Sequence, residues 1–211
     1  MTDAPELIFV GIDASKDTLE VALDDRANTC TLGNDEARFK KLLAMLGAVC
    51  ERVARVLLEA TAGSVSVGLV KGLKHSMPGL LMAGLSVTLT GDAFQQLGDA
   101  GNGLAMSIVV PNPFRPNSAV VRDYQAAVRA VSPDAIFSLV SLEAYINLRV
   151  LAEGLERAGP GPSQAKLRSA LASIRNWDLG GFTVHYSGQS PHVGSRYIGL
   201  GILNGAGRIA T

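Results

Sequence analysis

Two carboxylates, Asp13 and Glu59, close apolar runs: Leu7 to Ile12 precedes the first and Val53 to Leu58 the second. An apolar run ended by an acid suits a buried strand that delivers its carboxylate to one end of a sheet. Two such strands can bring both acids to one edge. There they could hold divalent cations that activate water or a sugar hydroxyl for phosphodiester chemistry. A strand-end acid serves equally as a solvated or capping group, and two acids form no unique motif. Other chemistry is thinly provided. The three histidines include no i, i+4 pair, and Cys30 and Cys50 share no metal-like spacing, so neither zinc nor a disulfide framework is expected. His185 reads as a half-exposed strand residue.

The elements around the two acids read simply. Leu7–Asp13 and the alternating Thr18–Asp24 form an antiparallel hairpin, with turn residues Ala14 to Asp17 between them. Asp25 to Asn28 makes a second turn and Thr29 to Leu32 a short third strand. Asn34 is the expected N-cap of a helix, with Asp35 and Glu36 in its first turn and Phe39, Leu42, Leu43 and Leu46 on its apolar face. Gly47 loosens or ends it, and the run closed by Glu59 follows.

Composition bounds the class. Of 211 residues, 47% are hydrophobic and 18% charged, which is globular. Nineteen basic against nineteen acidic residues give no excess suited to neutralising phosphates. The first six residues carry two acids and no Lys or Arg, unlike a signal peptide, and no run of about twenty apolar residues occurs. A cytoplasmic chain is expected as written.

Gly11-Ile12-Asp13-Ala14-Ser15-Lys16-Asp17-Thr18-Leu19, Asn34-Asp35-Glu36 and Leu57-Leu58-Glu59-Ala60-Thr61 together resemble the opening of IS110-family transposases. That resemblance implies a RuvC-like, ribonuclease H type unit with an acidic tetrad, Asp13 matching its first acid and Glu59 its second. It would bind Mg²⁺ and DNA. Two further aspartates and a serine nucleophile have no counterpart after Gly63, so transposition is not expected of this chain.

The stretch Leu57–Ser66 reads as a seam, with residues 1–63 and 64–211 as separate domains. Beyond it, strands alternate with helices: a weak helix over 65–74, a strand at Leu80–Ser86, a short helix at Gly91–Leu97 and a strand at Leu104–Val110. A helix follows from Ser118, then one over 141–158 with Leu142, Tyr145, Leu148, Ala152 and Leu155 facing the core. Ser163 caps a third, and strands close the chain at 182–186 and 196–203. Such alternation implies a mostly parallel sheet whose ligands bind at the strands' carboxyl ends, which singles out Ser86 with Val87 and Thr88.

Pro111-Asn112-Pro113, Tyr124-Gln125-Ala126-Ala127, Ser141-Leu142-Glu143-Ala144-Tyr145, Arg157-Ala158-Gly159-Pro160, Asp178 to Val184 and His192 to Tyr197 resemble substrate-binding proteins of ABC transporters, of the leucine/isoleucine/valine type. The resemblance implies a two-lobed, non-enzymatic protein closing on an amino acid, and places Ser86 where a residue meets the ligand amine. Most of the quoted residues read as structural, Gly180-Gly181 for a tight turn and the prolines for a loop.

The expected whole is an α/β protein: an incomplete ribonuclease H-like unit followed by a partial periplasmic-binding-protein type I lobe. Its expected function is that of a truncated branched-chain amino acid binding protein with impaired ligand binding and no cofactor. A transposase remnant using Mg²⁺ and DNA is the alternative, and a gene scar with no activity the third reading. The N-terminal sheet is expected either to expose unpaired edges or to dock on the second segment.

Overall fold

The computed structural model describes residues 7–15, 17–24, 29–49, 53–60, 63–86, 91–190 and 192–210. The expected turn at 25–28, Cys50, and the Val87–Thr88 pair beside Ser86 lie outside them. The chain divides into two compact units, Met1–Ser107 with Leu200–Thr211, and Ile108–Gly199.

The first unit begins with an antiparallel meander of β1 (Ile8–Ala14), β2 (Thr18–Leu23) and β3 (Cys30–Gly33). Ser15 Oγ shapes the first turn by accepting from the Thr18 N–H at 3.0 Å. Helix α1 (Glu36–Gly47) leads to β4 (Val53–Ala60), which lies parallel to β1. The cap of α1 is Asp35 rather than the expected Asn34: Asp35 Oδ1 accepts from the Arg38 N–H at 2.9 Å. Asn34 is engaged elsewhere, its side-chain amide donating to the Ser15 carbonyl at 2.6 Å.

Helix α2 (Gly63–Ser76), β5 (Leu81–Leu85), α3 (Gly91–Leu97) with a 3-10 turn at Gly98–Gly101, and β6 (Ala105–Ile108) continue the pattern. The second unit then takes α4 (Ala119–Val131), α5 (Leu139–Ala158), α6 (Gln164–Ala172), β7 (Trp177–Asp178) and β8 (Thr183–Val184). The chain returns with β9 (Gly199–Leu203) and β10 (Ile209–Ala210). The strands at 182–186 and 196–203 are thus shorter than the sequence suggested.

An eight-stranded sheet in the order β10-β9-β6-β5-β4-β1-β2-β3 organises the first unit. Strands from both sides of residue 63 share it, because β4 pairs with β1 on one edge and with β5 on the other. The edge that an isolated N-terminal sheet would leave unpaired at β4 is therefore filled, and the compact units divide elsewhere than at the seam.

From β1 to β4 to β5 to β6 the sheet grows in one direction, and all these pairings are parallel. Right-handed crossovers that never reverse direction place their helices on a single face. That face buries Ile8, Val10, Ile12, Val56, Leu58, Met82 and Met106 against the apolar sides of α1 and α2, including Leu42, Leu46, Val70 and Leu73. No described helix covers the opposite face, where Phe9, Leu57 and Leu81 are exposed. β1 is therefore not buried on both sides as its apolar run suggested: it alternates, with Phe9 and Asp13 exposed.

In the second unit, Tyr124 on α4 is fully buried and joins the helices. Its hydroxyl shares a hydrogen bond with Ser141 Oγ and accepts from the Ser138 N–H at 3.1 Å, while its ring packs on Phe137 and Tyr145. Ser138 and Ser141 form a reciprocal cap on α5. The core side of α5 is Leu139, Leu142, Ile146, Val150, Gly154 and Ala158, so of the expected set only Leu142 is buried, and Leu148, Ala152 and Leu155 are exposed. α5 carries apolar residues almost all round, so periodicity alone could not choose its inner side. Gly154 helps decide it, since a Cβ there would strike Leu171 of α6.

Candidate functional site

The parallel strands of the first unit end on one edge, and the pairing register fixes what gathers there. Asp13 stands opposite Glu59 on β4 and opposite Glu20 on β2. Directly paired residues project from the same side of a sheet, so these three carboxylates form a row on the open face. Thr31 Oγ1 donates to Glu20 Oε2 at 2.9 Å and continues the row onto β3. Neighbouring strands lie about 4.8 Å apart, so the outer two acids are separated by roughly 10 Å and project side by side. Ligands of Mg²⁺ or Ca²⁺ must instead meet one point at about 2–2.6 Å. Among the described residues, no group of three His, Cys, Asp or Glu has an arrangement that could hold a metal.

Ser86 follows β5 in a short 3-10 turn and is only 5% exposed. Leu58 pairs with Gly84, so Ser86 lies two residues on in the alternation that faces the helices. Asp13 and Glu59 project to the other side. The three sequence candidates therefore share a sheet edge without sharing a site.

The second unit contains hollows that sequence reasoning missed. Its turn Asp178 to Gly181 is held by Asp178 Oδ1, which accepts from the Gly180 and Gly181 N–H groups at 2.9 and 2.7 Å. Both glycines have positive φ, 86° and 94°, as a tight turn here requires. The Gly180 carbonyl accepts from the Val120 N–H at 3.1 Å and seats the turn on the start of α4. Asn112 Oδ1 accepts from the Phe114 N–H at 3.0 Å, and Gln125 Nε2 donates to the Pro113 carbonyl at 2.8 Å. These motif residues hold the unit together, as their types suggested.

Beyond that scaffold, segment Val193–Tyr197 lines two hollows. One, of about 840 Å³, has His185, Ser187, Ser195 and Arg196 among its lining residues. His185 Nδ1 is 2.8 Å from Asn176 Oδ1, which fixes the ring at the wall. The other, of about 630 Å³, is floored by Val110, Ile146, Val150, Phe182 and Val184, with Glu143 and Asn147 at its side. Arg196 lines both and makes no hydrogen bond or ion pair among the described residues. An arginine with open donors beside an apolar floor can bind a small carboxylate with an aliphatic body. The sequence signal was slight: one arginine after Gly194-Ser195, inside a stretch that read as a strand.

Comparison with known proteins gives the wider frame. A family model described as periplasmic binding protein matches residues 45–200, running across the seam. A search among curated proteins finds no match. Solved structures that resemble the chain include an extracellular ligand-binding receptor from Verminephrobacter eiseniae, with TM-score 0.72 and 22% identity over 85% of this chain and 50% of that one. A substrate-binding periplasmic protein from Ralstonia solanacearum gives 0.69 and 26%, over 96% of this chain and 61% of that one. A possible leucine/isoleucine/valine-binding protein from Rhodopirellula baltica gives 0.71 and 24%, over 80% and 45%. None of these comparisons supports the transposase resemblance or a fusion. The chain spans about half the length of the structures it matches. No helix among the described residues is long and apolar enough to cross a membrane.

Proposed function

Because this chain belongs to the periplasmic binding protein family, we propose that it is a solute-binding protein of the branched-chain amino acid type that holds its ligand weakly. The observation that carries this reading is the family match over residues 45–200, together with a hollow suited to a small aliphatic acid. Arg196 would take the carboxylate and the Val110–Ile146–Val150 floor a branched side chain. Ser86, buried at the end of β5, is a separate candidate within the first unit. Weakness is part of the proposal because micromolar affinity needs about 8 kcal/mol, usually drawn from a nearly enclosing pocket. These hollows are open on one side.

Thermal unfolding tests the reading. A ligand with a Kd of about 1 mM, present at about 10 mM, stabilises by roughly 1.4 kcal/mol, which raises the melting temperature by about 3–6 °C for a chain of this size. Leucine, isoleucine or valine should give a shift of that order, lost in Arg196→Ala. No shift with any of the three sinks the proposal.

The second reading, a remnant of an IS110-type transposase with an incomplete acidic metal site, rests on one observation: Asp13 and Glu59 stand in register on adjacent strands. It requires salt-sensitive DNA binding in the presence of Mg²⁺ that weakens in Asp13→Ala and Glu59→Ala. DNA binding that is absent, or unchanged by both substitutions, removes it.

A further inference from the structure

The open face of the first unit's sheet is apolar at its centre and charged at its ends. Its middle row, from the pairing register, is Ala22, Gly11, Leu57, Ala83 and Ala105. The row below holds Asp24, Phe9, Arg55 and Leu81, and the row above holds Glu20, Asp13 and Glu59, so the lower row is balanced in charge and the upper one wholly acidic. Ile202 of β9 joins the same face, because its neighbour Leu203 points to the helix side, where it meets Gly101. Phe9, Leu57 and Leu81 are 48%, 55% and 59% exposed. Sheets built from parallel strands are ordinarily covered on both faces, and a contiguous apolar patch of this kind marks an interaction surface.

We infer that this face is an interface with a second copy of the same chain, the two sheets stacked with their strands antiparallel about a two-fold axis near Leu57. Charge selects the occupant and the direction. Arg55 and Glu59 lie two residues either side of Leu57, both exposed, and neither makes an ion pair among the described residues. A two-fold axis running across the strands at Leu57 sets Arg55 of each copy against Glu59 and beside Asp13 of the other, at the cost of bringing Asp24 to Glu20 at the outer strand. It also sets Leu81 against Leu85. An axis running along the strands would instead oppose one acidic row to the other, which like-charge repulsion disfavours. The middle row is small on both sides of Leu57, leaving room for one protruding leucine from each copy. Isologous contact of this kind closes after two copies.

The footprint matches a weak dimer. Six strands about 4.8 Å apart, each offering some five residues at about 3.3 Å, cover on the order of 500 Å² per copy. A pair therefore buries roughly 1,000 Å², at the lower bound for specific association.

Sedimentation of the full chain across about 1–100 μM tests the inference, since an interface of that size dissociates in the micromolar range. The expected result is a reversible monomer–dimer equilibrium. Arg55→Glu and Glu59→Arg, both at exposed positions, should each weaken it at least tenfold. The double exchange Arg55→Glu with Glu59→Arg should restore it, because the two charges then face one another again. Leu57→Lys should abolish it with an unchanged near-UV circular dichroism spectrum, which shows the fold to be intact. A monomer at every concentration overturns the inference, as does self-association that ignores Arg55→Glu, growth beyond two copies, or a double exchange that fails to restore the dimer.

Discussion

Gly180→Ala is the sharpest probe of the second unit. An L-residue at φ 86° carries a dihedral cost of about 1–2 kcal/mol. The added Cβ would lie 2.6 Å from Ala119 Cβ and 3.1 Å from the Val120 backbone nitrogen, and neither is the tip of a flexible chain. Contact between carbons is comfortable at about 3.5–4.0 Å, so the turn must retreat by roughly 1 Å. Retreat strains the hydrogen bond from the Val120 N–H to the Gly180 carbonyl, itself worth about 1 kcal/mol. Together these terms predict a loss of about 3 kcal/mol. Gly188→Ala is the control: its φ is 77°, but its Cβ would meet only a guanidinium tip of Arg175 at 3.3 Å. That variant should lose about 1–2 kcal/mol, the dihedral part alone. Urea unfolding followed at Trp177, on the same hairpin, gives both values from midpoint shifts at constant slope. Equal losses in the two variants, or a smaller one in Gly180→Ala, would refute the argument from close approach.

Tyr124→Phe should cost about 1–2 kcal/mol in the same assay, because it strips a buried partner from the Ser138 N–H and Ser141 Oγ. Ser163→Ala should cost about 1 kcal/mol, since Ser163 Oγ accepts from the Lys166 N–H at 3.3 Å, whereas Ser118→Ala should be nearly neutral, the Ser118 hydroxyl being buried without a partner among the described residues. Asp35 is held below its ordinary carboxyl value of 3.8 by the Arg38 backbone N–H and then by the Arg38 side chain. Its support of α1 is therefore present above that value and lost as pH falls through the folded one. The midpoint difference between the parent chain and Asp35→Ala should shrink steadily on acidification, and a difference that grows would reverse the assignment.

Sequence showed most of the elements and little of their surroundings. The strands carrying Asp13 and Glu59, their parallel edge, and the α6 cap at Ser163 all follow from local pattern. The α1 cap was displaced by one residue because Asn34 and Asp35 are equally good caps, and the Asn34 side chain is drawn to the distant Ser15 carbonyl. The inward side of α5 was illegible for a similar reason: Leu148 and Leu155 are as apolar as Ile146 and Val150, and the choice lies with Gly154 and Leu171. The break expected at residue 63 reflected a change in sequence character, yet β4 and β5 pair across it through backbone hydrogen bonds that demand no particular side chains. Arg196 stayed hidden because an arginine becomes a candidate only when its neighbours in space are known.

Strands β9 and β10 join the sheet from far along the sequence, with Leu203 bonded to the backbone of Gly103 and Leu104. During synthesis the residues from Ile108 to Gly199 emerge as one uninterrupted stretch and can settle by themselves, while the first sheet waits with the outer edge of β6 bare. Closing so long a loop is slow, so the nascent chain carries an unzipped edge for the whole time the ribosome needs to reach β10. Misfolding should therefore concentrate at β6, and delaying the strands at 199–210 should harm yield more than it harms the finished protein.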